Sequence, residues 1–142
     1  MSDGTIVIQQ KEYAEAVASI PISKERRKQK DQNTTDQEKA QMRAVLGEVN
    51  WLVSGTRPDL AASCSLMQQR TTSSVVQDLI EVNRLVAMVR DFSGLEIRIK
   101  PVPMEDVEIA VWSDASFANA AEKKSQGGYI LDCCNRLRIA KG

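Results

Sequence analysis

The chain has 142 residues, which is room for one compact domain or for parts of two. Hydrophobic residues make up 42% and charged residues 27%, a balance that suits a globular chain rather than a disordered one. The 19 basic and 19 acidic side chains cancel, so no global field selects a nucleic acid or a membrane, although a local basic patch is compatible with that total. Histidine is absent, which excludes Ser-His-Asp and Cys-His nucleophile pairs, H-E-x-x-H zinc sites and Cys₂His₂ fingers. Cys64, Cys133 and Cys134 cannot form a disulfide framework and lack C-x-x-C spacing, so they read as reduced thiols rather than a redox pair. No apolar run approaches the roughly 18 residues that cross a bilayer. Met1 is followed by Ser2-Asp3-Gly4 and no apolar leader, so the expectation is an intracellular protein, cytoplasmic or nuclear, with no membrane partner.

In chain order, Thr5 to Gln9 is a β-rich run after an Asp3-Gly4 turn signal and predicts a short strand. Tyr13, Ala16 and Val17 recur at helical spacing and predict a short helix that Pro21 ends. Residues 22–34 are polar, and the run Lys24-Glu25-Arg26-Arg27-Lys28-Gln29-Lys30 reads as a solvated linker. Arg26, Arg27 and Lys28 are also candidate phosphate contacts, but no aromatic is interleaved for base stacking.

A long helix follows. Thr35-Asp36-Gln37-Glu38 has the capping-box form, and Met42, Val45, Leu46, Val49, Leu52 and Val53 make one apolar face that Gly55 closes. Thr56-Arg57-Pro58-Asp59 opens the next helix, with Pro58 tolerated in its first turn and Leu60, Cys64 and Met67 as its stripe. Ser73 or Ser74 caps a third helix to about Asp91, whose broad apolar set calls for cover on more than one side; Ser93-Gly94 breaks it. Core packing accounts for these stripes.

After Gly94 the period becomes two. Leu95, Ile97 and Ile99 alternate with Glu96, Arg98 and Lys100, as in a half-buried strand. Val107 to Trp112 predicts a strand ending at Ser113-Asp114. A polar loop from Asn119 to Gln126 leads through Gly127-Gly128 to a strand at Tyr129-Ile130-Leu131. Asn135 marks a turn, and Leu137-Arg138-Ile139 returns as a third strand. The fold class is therefore α+β: an N-terminal strand and three helices, then an opening β-meander. A carboxylate at the end of a buried strand, next to the small Ala115 and Ser116, is a metal-ligand geometry, though most strand-end aspartates only form turns. Asp114 is a candidate metal ligand on that ground.

Leu46, Gly47, Asn50, Leu52 and the run Gly55-Thr56-Arg57-Pro58-Asp59 resemble the segment that follows the reverse-transcriptase palm in copia-type retrotransposon polyproteins. Ile6 to Tyr13 is similar to the family's strand before that segment, and the third helix matches loosely through Arg84, Val89 and Arg90. Trp112-Ser113-Asp114-Ala115-Ser116-Phe117-Ala118, followed by Lys124-Ser125-Gln126-Gly127-Gly128-Tyr129, is similar to the opening of the RNase H-like domain of these elements. The matches run in order along nearly the whole chain.

The resemblance implies a palm-like end at 1–21, a basic linker at 22–34, a helical post-palm segment at 35–93 and an RNase H-like beginning at 94–142. It implies that Asp114 is the first carboxylate of a two-Mg²⁺ site that cuts the RNA strand of an RNA–DNA hybrid, and all-oxygen ligands suit Mg²⁺. Glu105, Asp106, Glu108, Glu122 and Asp132 match no family ligand position and read as surface charge. The family's other metal carboxylates would lie past residue 142 and the palm's paired aspartates before residue 1; no Tyr-x-Asp-Asp occurs. These residues alone are therefore expected to neither polymerise nor hydrolyse. Arg57 reads either as a phosphate contact or as the partner of Asp59. Two further readings stay open: a non-catalytic nucleic-acid-binding or helical interaction remnant, and a fragment that folds poorly.

Overall fold

The structure, a computed structural model, describes residues 3–116 and 125–135. Two compact units are present, one spanning Ile8–Ile97 and the other formed by the residues on either side of it.

The helical unit is built around α3 (Asp36–Gly55). Its capping box forms as the sequence predicts: Glu38 N–H donates to Thr35 Oγ1 at 3.2 Å, and Thr35 N–H donates to Glu38 Oε2 at 2.8 Å. Met42, Val45, Leu46, Val49 and Leu52 are its buried face. Pro58 opens a 3₁₀ turn (Pro58–Leu60) that runs into α4 (Ala61–Arg70), bringing Leu60 and Cys64 into the same core. From α5 (Val76–Asp91) come Leu79, Val82, Leu85, Val86 and Val89. Each such side chain contributes roughly 1.5–3 kcal/mol when fully buried, so this shared core dominates the stability of the unit.

Several local expectations are corrected by contacts made far along the chain. Helix α1 (Lys11–Ala16) stops at Ala16 with Val17 as its cap residue, not at Pro21. Ala14, Val17 and Ile20 are buried, while Tyr13 and Ala16 face outward. The stretch beyond α1 is held by α5 instead: Arg90 Nε donates to the Val17 carbonyl at 2.9 Å. Asn83 accepts from Ile20 N–H at 2.7 Å and donates to the Ile20 carbonyl at 2.8 Å.

The segment 22–34 is not simply a solvated linker. It contains the one-turn helix α2 (Lys24–Lys28), capped by Ser23, whose Oγ accepts from Arg26 N–H at 3.1 Å. Its far end is stitched to the start of α5 by Gln77 N–H to Lys30 O, Val76 N–H to Gln32 O and Thr34 N–H to Ser74 O, each 3.0 Å. Neither Ser73 nor Ser74 caps α5. Ser74 Oγ lies 2.6 Å from Thr34 Oγ1, and Asp78 Oδ2 takes the capping role by accepting from Val75 N–H at 2.9 Å.

β1 (Ile6–Gln9) and β2 (Glu96–Ile99) pair as a two-stranded sheet, and the division between the units falls inside both strands. The expected half-buried alternation around β2 is absent, since Leu95 and Ile99 are both exposed. In the smaller unit β3 (Val107–Ser116) pairs antiparallel with β4 (Gln126–Asn135), in a register that sets Val107 opposite Asn135 and Ser116 opposite Gln126. Both strands are longer than the sequence predicts. The third strand at Leu137–Ile139 and the loop residues 119–124 lie outside the described residues. The architecture is α+β.

Candidate functional site

Asp114 does not end its strand. β3 continues through Ser116 because Ala115 and Ser116 find partners in Gly127 and Gln126. Strand alternation and the register put Glu108, Ala110, Trp112 and Asp114 on one face, with Cys134, Asp132, Ile130 and Gly128 opposite them. Asp114 therefore faces a glycine across the ladder and stands exposed, its Oδ1 accepting from Ala115 N–H at 2.8 Å. The strand is not a buried one either: Ile109, Val111 and Trp112 are all exposed.

A two-metal site needs several carboxylates around cations about 4 Å apart. Asp132 shares Asp114's face but pairs with Ala110, four residues along the strand, which is roughly 13 Å at the rise of a β-strand. Among the described residues no group of three or more His, Cys, Asp or Glu lies close enough to hold an ion. The Mg²⁺ implied by the resemblance thus has one candidate ligand here, Asp114, and the described residues do not by themselves fit the ion. Of the carboxylates read as surface charge, Glu105, Asp106, Glu108 and Asp132 lie in the described hairpin unit, and Glu122 lies outside the described residues.

The four candidate nucleic-acid contacts separate into two kinds. Arg57 is 2% exposed and bound on every side. Nε and Nη2 grip Asp59 Oδ1 and Oδ2 at 2.9 and 2.8 Å, and Nη1 donates to the carbonyls of Val89 and Phe92, both at 3.3 Å. Those carbonyls belong to the last turn of α5 and to its C-cap, where a cation offsets the helix dipole. Asp59's carboxyl is held below its ordinary range by the hydrogen bonds from Arg57, against the opposing effect of partial burial. Of the two sequence readings of Arg57, the pairing with Asp59 is the one the geometry displays, and no guanidinium face is left for a phosphate.

Arg26 is similarly engaged. Its Nε and Nη2 meet both oxygens of Glu38 at 2.9 and 2.8 Å, and it also donates to Gln29, Gln32 and the Asn33 carbonyl. Hydrogen bonding from Arg26 is the main reason Glu38's carboxyl drops to about 2; desolvation opposes it and the Thr35 N–H adds to it. Arg27 and Lys28, by contrast, are exposed. The structure brings Arg26 to the start of α3, Arg57 to the end of α5, and leaves Arg27 and Lys28 at the surface.

The run Gly55-Thr56-Arg57-Pro58-Asp59 is thus a clamp. Thr56 Oγ1 donates to Gln10 Oε1 at 2.9 Å, and Gln10 lies so close to Gly55 that a Cβ there would collide with its amide. Gln10, Asn83 and Asp78 are structural residues that sequence reading did not single out, because each acts on a partner in another element or on a backbone group rather than on a side-chain pattern.

No family model, no curated protein and no solved structure matches the chain. No helix among the described residues is long and apolar enough to cross a membrane.

Proposed function

We propose that these residues are a piece of a copia-type retrotransposon polyprotein: the helical segment that follows the reverse-transcriptase palm, joined to the opening strands of an RNase H-like domain. The ancestral activities under this reading are RNA-dependent DNA polymerisation and hydrolysis of RNA in RNA–DNA hybrids. The observation that carries it is the ordered series of matches along the sequence. Two features of the fold are compatible with it. The Gly55–Asp59 run has a definite task, fastening the α3–α4 junction to Gln10 through Thr56 and to the end of α5 through Arg57. The second unit is an antiparallel hairpin with an acidic residue, Asp114, on its first strand.

Under this reading Mg²⁺ would supply water activation and leaving-group stabilisation in the whole enzyme. Asp114 would be one ligand there, and the hybrid is the substrate of the parent protein. Under the same reading these residues alone would not be competent, because the one candidate carboxylate among the described residues, Asp114, is exposed and would hold hydrated Mg²⁺ weakly.

The test is the reading frame on each side of this segment in genomic DNA. In-frame paired aspartates upstream and acidic motifs downstream are the expected result. Intact flanking frames that encode neither would overturn the assignment.

A further inference from the structure

A groove of about 360 Å³ lies between α2 and α5, lined by Arg27, Ile80, Asn83, Arg84 and Ala87. Its polar back wall is already satisfied, since both amide atoms of Asn83 are bonded to the Ile20 backbone. What the groove offers is an apolar floor, Ile80 and Ala87, one α-helical stripe apart, with a guanidinium on either rim. Met88, one turn beyond Arg84, is exposed.

The charge around this floor is mostly basic, with Glu81 paired to Arg84 beside it. Lys24, Arg27 and Lys28 occupy one face of α2, at i, i+3 and i+4, opposite the Arg26 that turns inward to Glu38. None of these three side chains pairs with an acid among the described residues. Arg84 pairs with Glu81 at 2.7 Å, at a largely exposed position where such a pair is readily exchanged. In a chain of zero net charge this is a local concentration of cations.

We propose that this groove docks an acidic amphipathic helix of a partner protein, with apolar side chains on Ile80 and Ala87 and carboxylates against Arg27, Arg84 and the α2 lysines. Charge complementarity selects an acidic partner, and the apolar floor selects a peptide over a phosphate backbone. A phosphate chain gains nothing from covering Ile80 and Ala87, and no aromatic lines the groove for a base to stack on.

The test titrates the full 142-residue chain with a fluorescent helical peptide of about 16 residues, carrying Leu at i, i+4 and i+7 and Glu on both flanks. A scrambled peptide of the same composition and a single-stranded oligothymidylate serve as comparisons. The expected result is saturable binding of the amphipathic peptide, at least about tenfold tighter than the scrambled one. Arg27→Glu and Ala87→Glu, both at exposed positions, each weaken it by about tenfold or more with an unchanged far-UV circular dichroism spectrum. Equal binding of the scrambled peptide would overturn the proposal, as would the absence of saturable binding. So would oligothymidylate binding that is tighter than peptide binding and lost on Arg27→Glu.

Discussion

Arg57 and Asp59 form a two-point ion pair, Nε to Oδ1 at 2.9 Å and Nη2 to Oδ2 at 2.8 Å, in which the cation is buried and the anion is half exposed. That asymmetry decides what each side chain is worth. Removing Arg57 also takes the guanidinium donor from the Val89 carbonyl and leaves the Phe92 carbonyl with the Leu95 N–H alone, at a partly buried helix end. Removing Asp59 leaves a guanidinium that keeps two of its partners. Arg57→Ala is expected to cost the helical unit about 3 kcal/mol, because every partner of the guanidinium is lost at once, and Asp59→Ala about 2 kcal/mol, because the buried guanidinium loses its counter-charge but keeps its carbonyl partners. Arg57→Lys falls between them, because an ammonium cannot reproduce the planar fork. Urea midpoints followed by far-UV circular dichroism measure all three. Equal losses for Arg57→Ala and Asp59→Ala would show that the α5 carbonyls do not matter.

Gly55 sits at the end of α3 where Gln10 approaches it, and its φ is not in the left-handed region. Its lack of a side chain therefore serves the contact rather than the backbone. Gly55→Ala gains about 1 kcal/mol of helix propensity but displaces the Gln10 amide that accepts from Thr56, losing about 1 kcal/mol. The single variant is expected to change stability little. In a Gln10→Ala background the same substitution should stabilise by roughly 0.5–1 kcal/mol, and the double-mutant cycle isolates the coupling. Additive effects would mean that Gln10 and Gly55 do not depend on each other.

How much of this was readable beforehand depends on where each stabilising partner lies. The capping box of α3 and its apolar face were legible because Thr35, Glu38 and the Met42–Leu52 stripe all sit within one element. Helix α2 was not, since Arg26 is fixed by Glu38 twelve residues on, and a charged run has the same composition whether it is solvated or anchored. The start of α5 was misplaced for a related reason. Ser74 is an ordinary cap residue by type, but Thr34, forty residues earlier, engages it, and Asp78 closes the turn. At the candidate site, the Asp59 partner of Arg57 was visible in the spacing, whereas its carbonyl partners depend on how α5 packs. Asp114 was located correctly in a strand, but its exposure and the continuation of β3 depend on pairing with β4.

Glu38 links the α2 segment to α3 and gives that link a pH dependence. Its carboxyl has an ordinary value of 4.5 and sits at about 2 in the folded chain, chiefly through the Arg26 hydrogen bonds. A depressed folded value means that the unfolded chain binds the proton more readily. The stabilisation is therefore complete above about pH 5 and is lost as the pH falls through 4.5 toward 2. Glu38→Gln should flatten the acid limb of the stability profile in that window, while stability near neutral pH drops because the Arg26 pairing is gone. An acid limb unchanged in Glu38→Gln would assign it to other carboxyl groups.

The two units should differ in how firmly they hold their backbone hydrogen bonds. The helices share a buried core, whereas the β3–β4 ladder exposes Ile109, Val111 and Leu131 on one face and Trp112 and Ile130 on the other. Among the described residues this ladder has two strands with both faces exposed, and such a ladder is marginal in water. Amide hydrogen exchange should therefore be slow in α3 and α5 and fast from Val107 to Ser116, with β4 matching its partner. Asp114→Asn, at an exposed position without an ion pair among the described residues, should leave both exchange patterns and the urea midpoint unchanged to within about 0.5 kcal/mol. If Asp114 is a metal ligand by descent, its loss should instead show in a chimera. The remainder of a copia-type RNase H domain, joined in frame after these residues, should gain Mg²⁺-dependent cleavage of an RNA–DNA hybrid that Asp114→Asn abolishes. A chimera that cuts equally well with asparagine at this position would reduce Asp114 to an ordinary surface carboxylate.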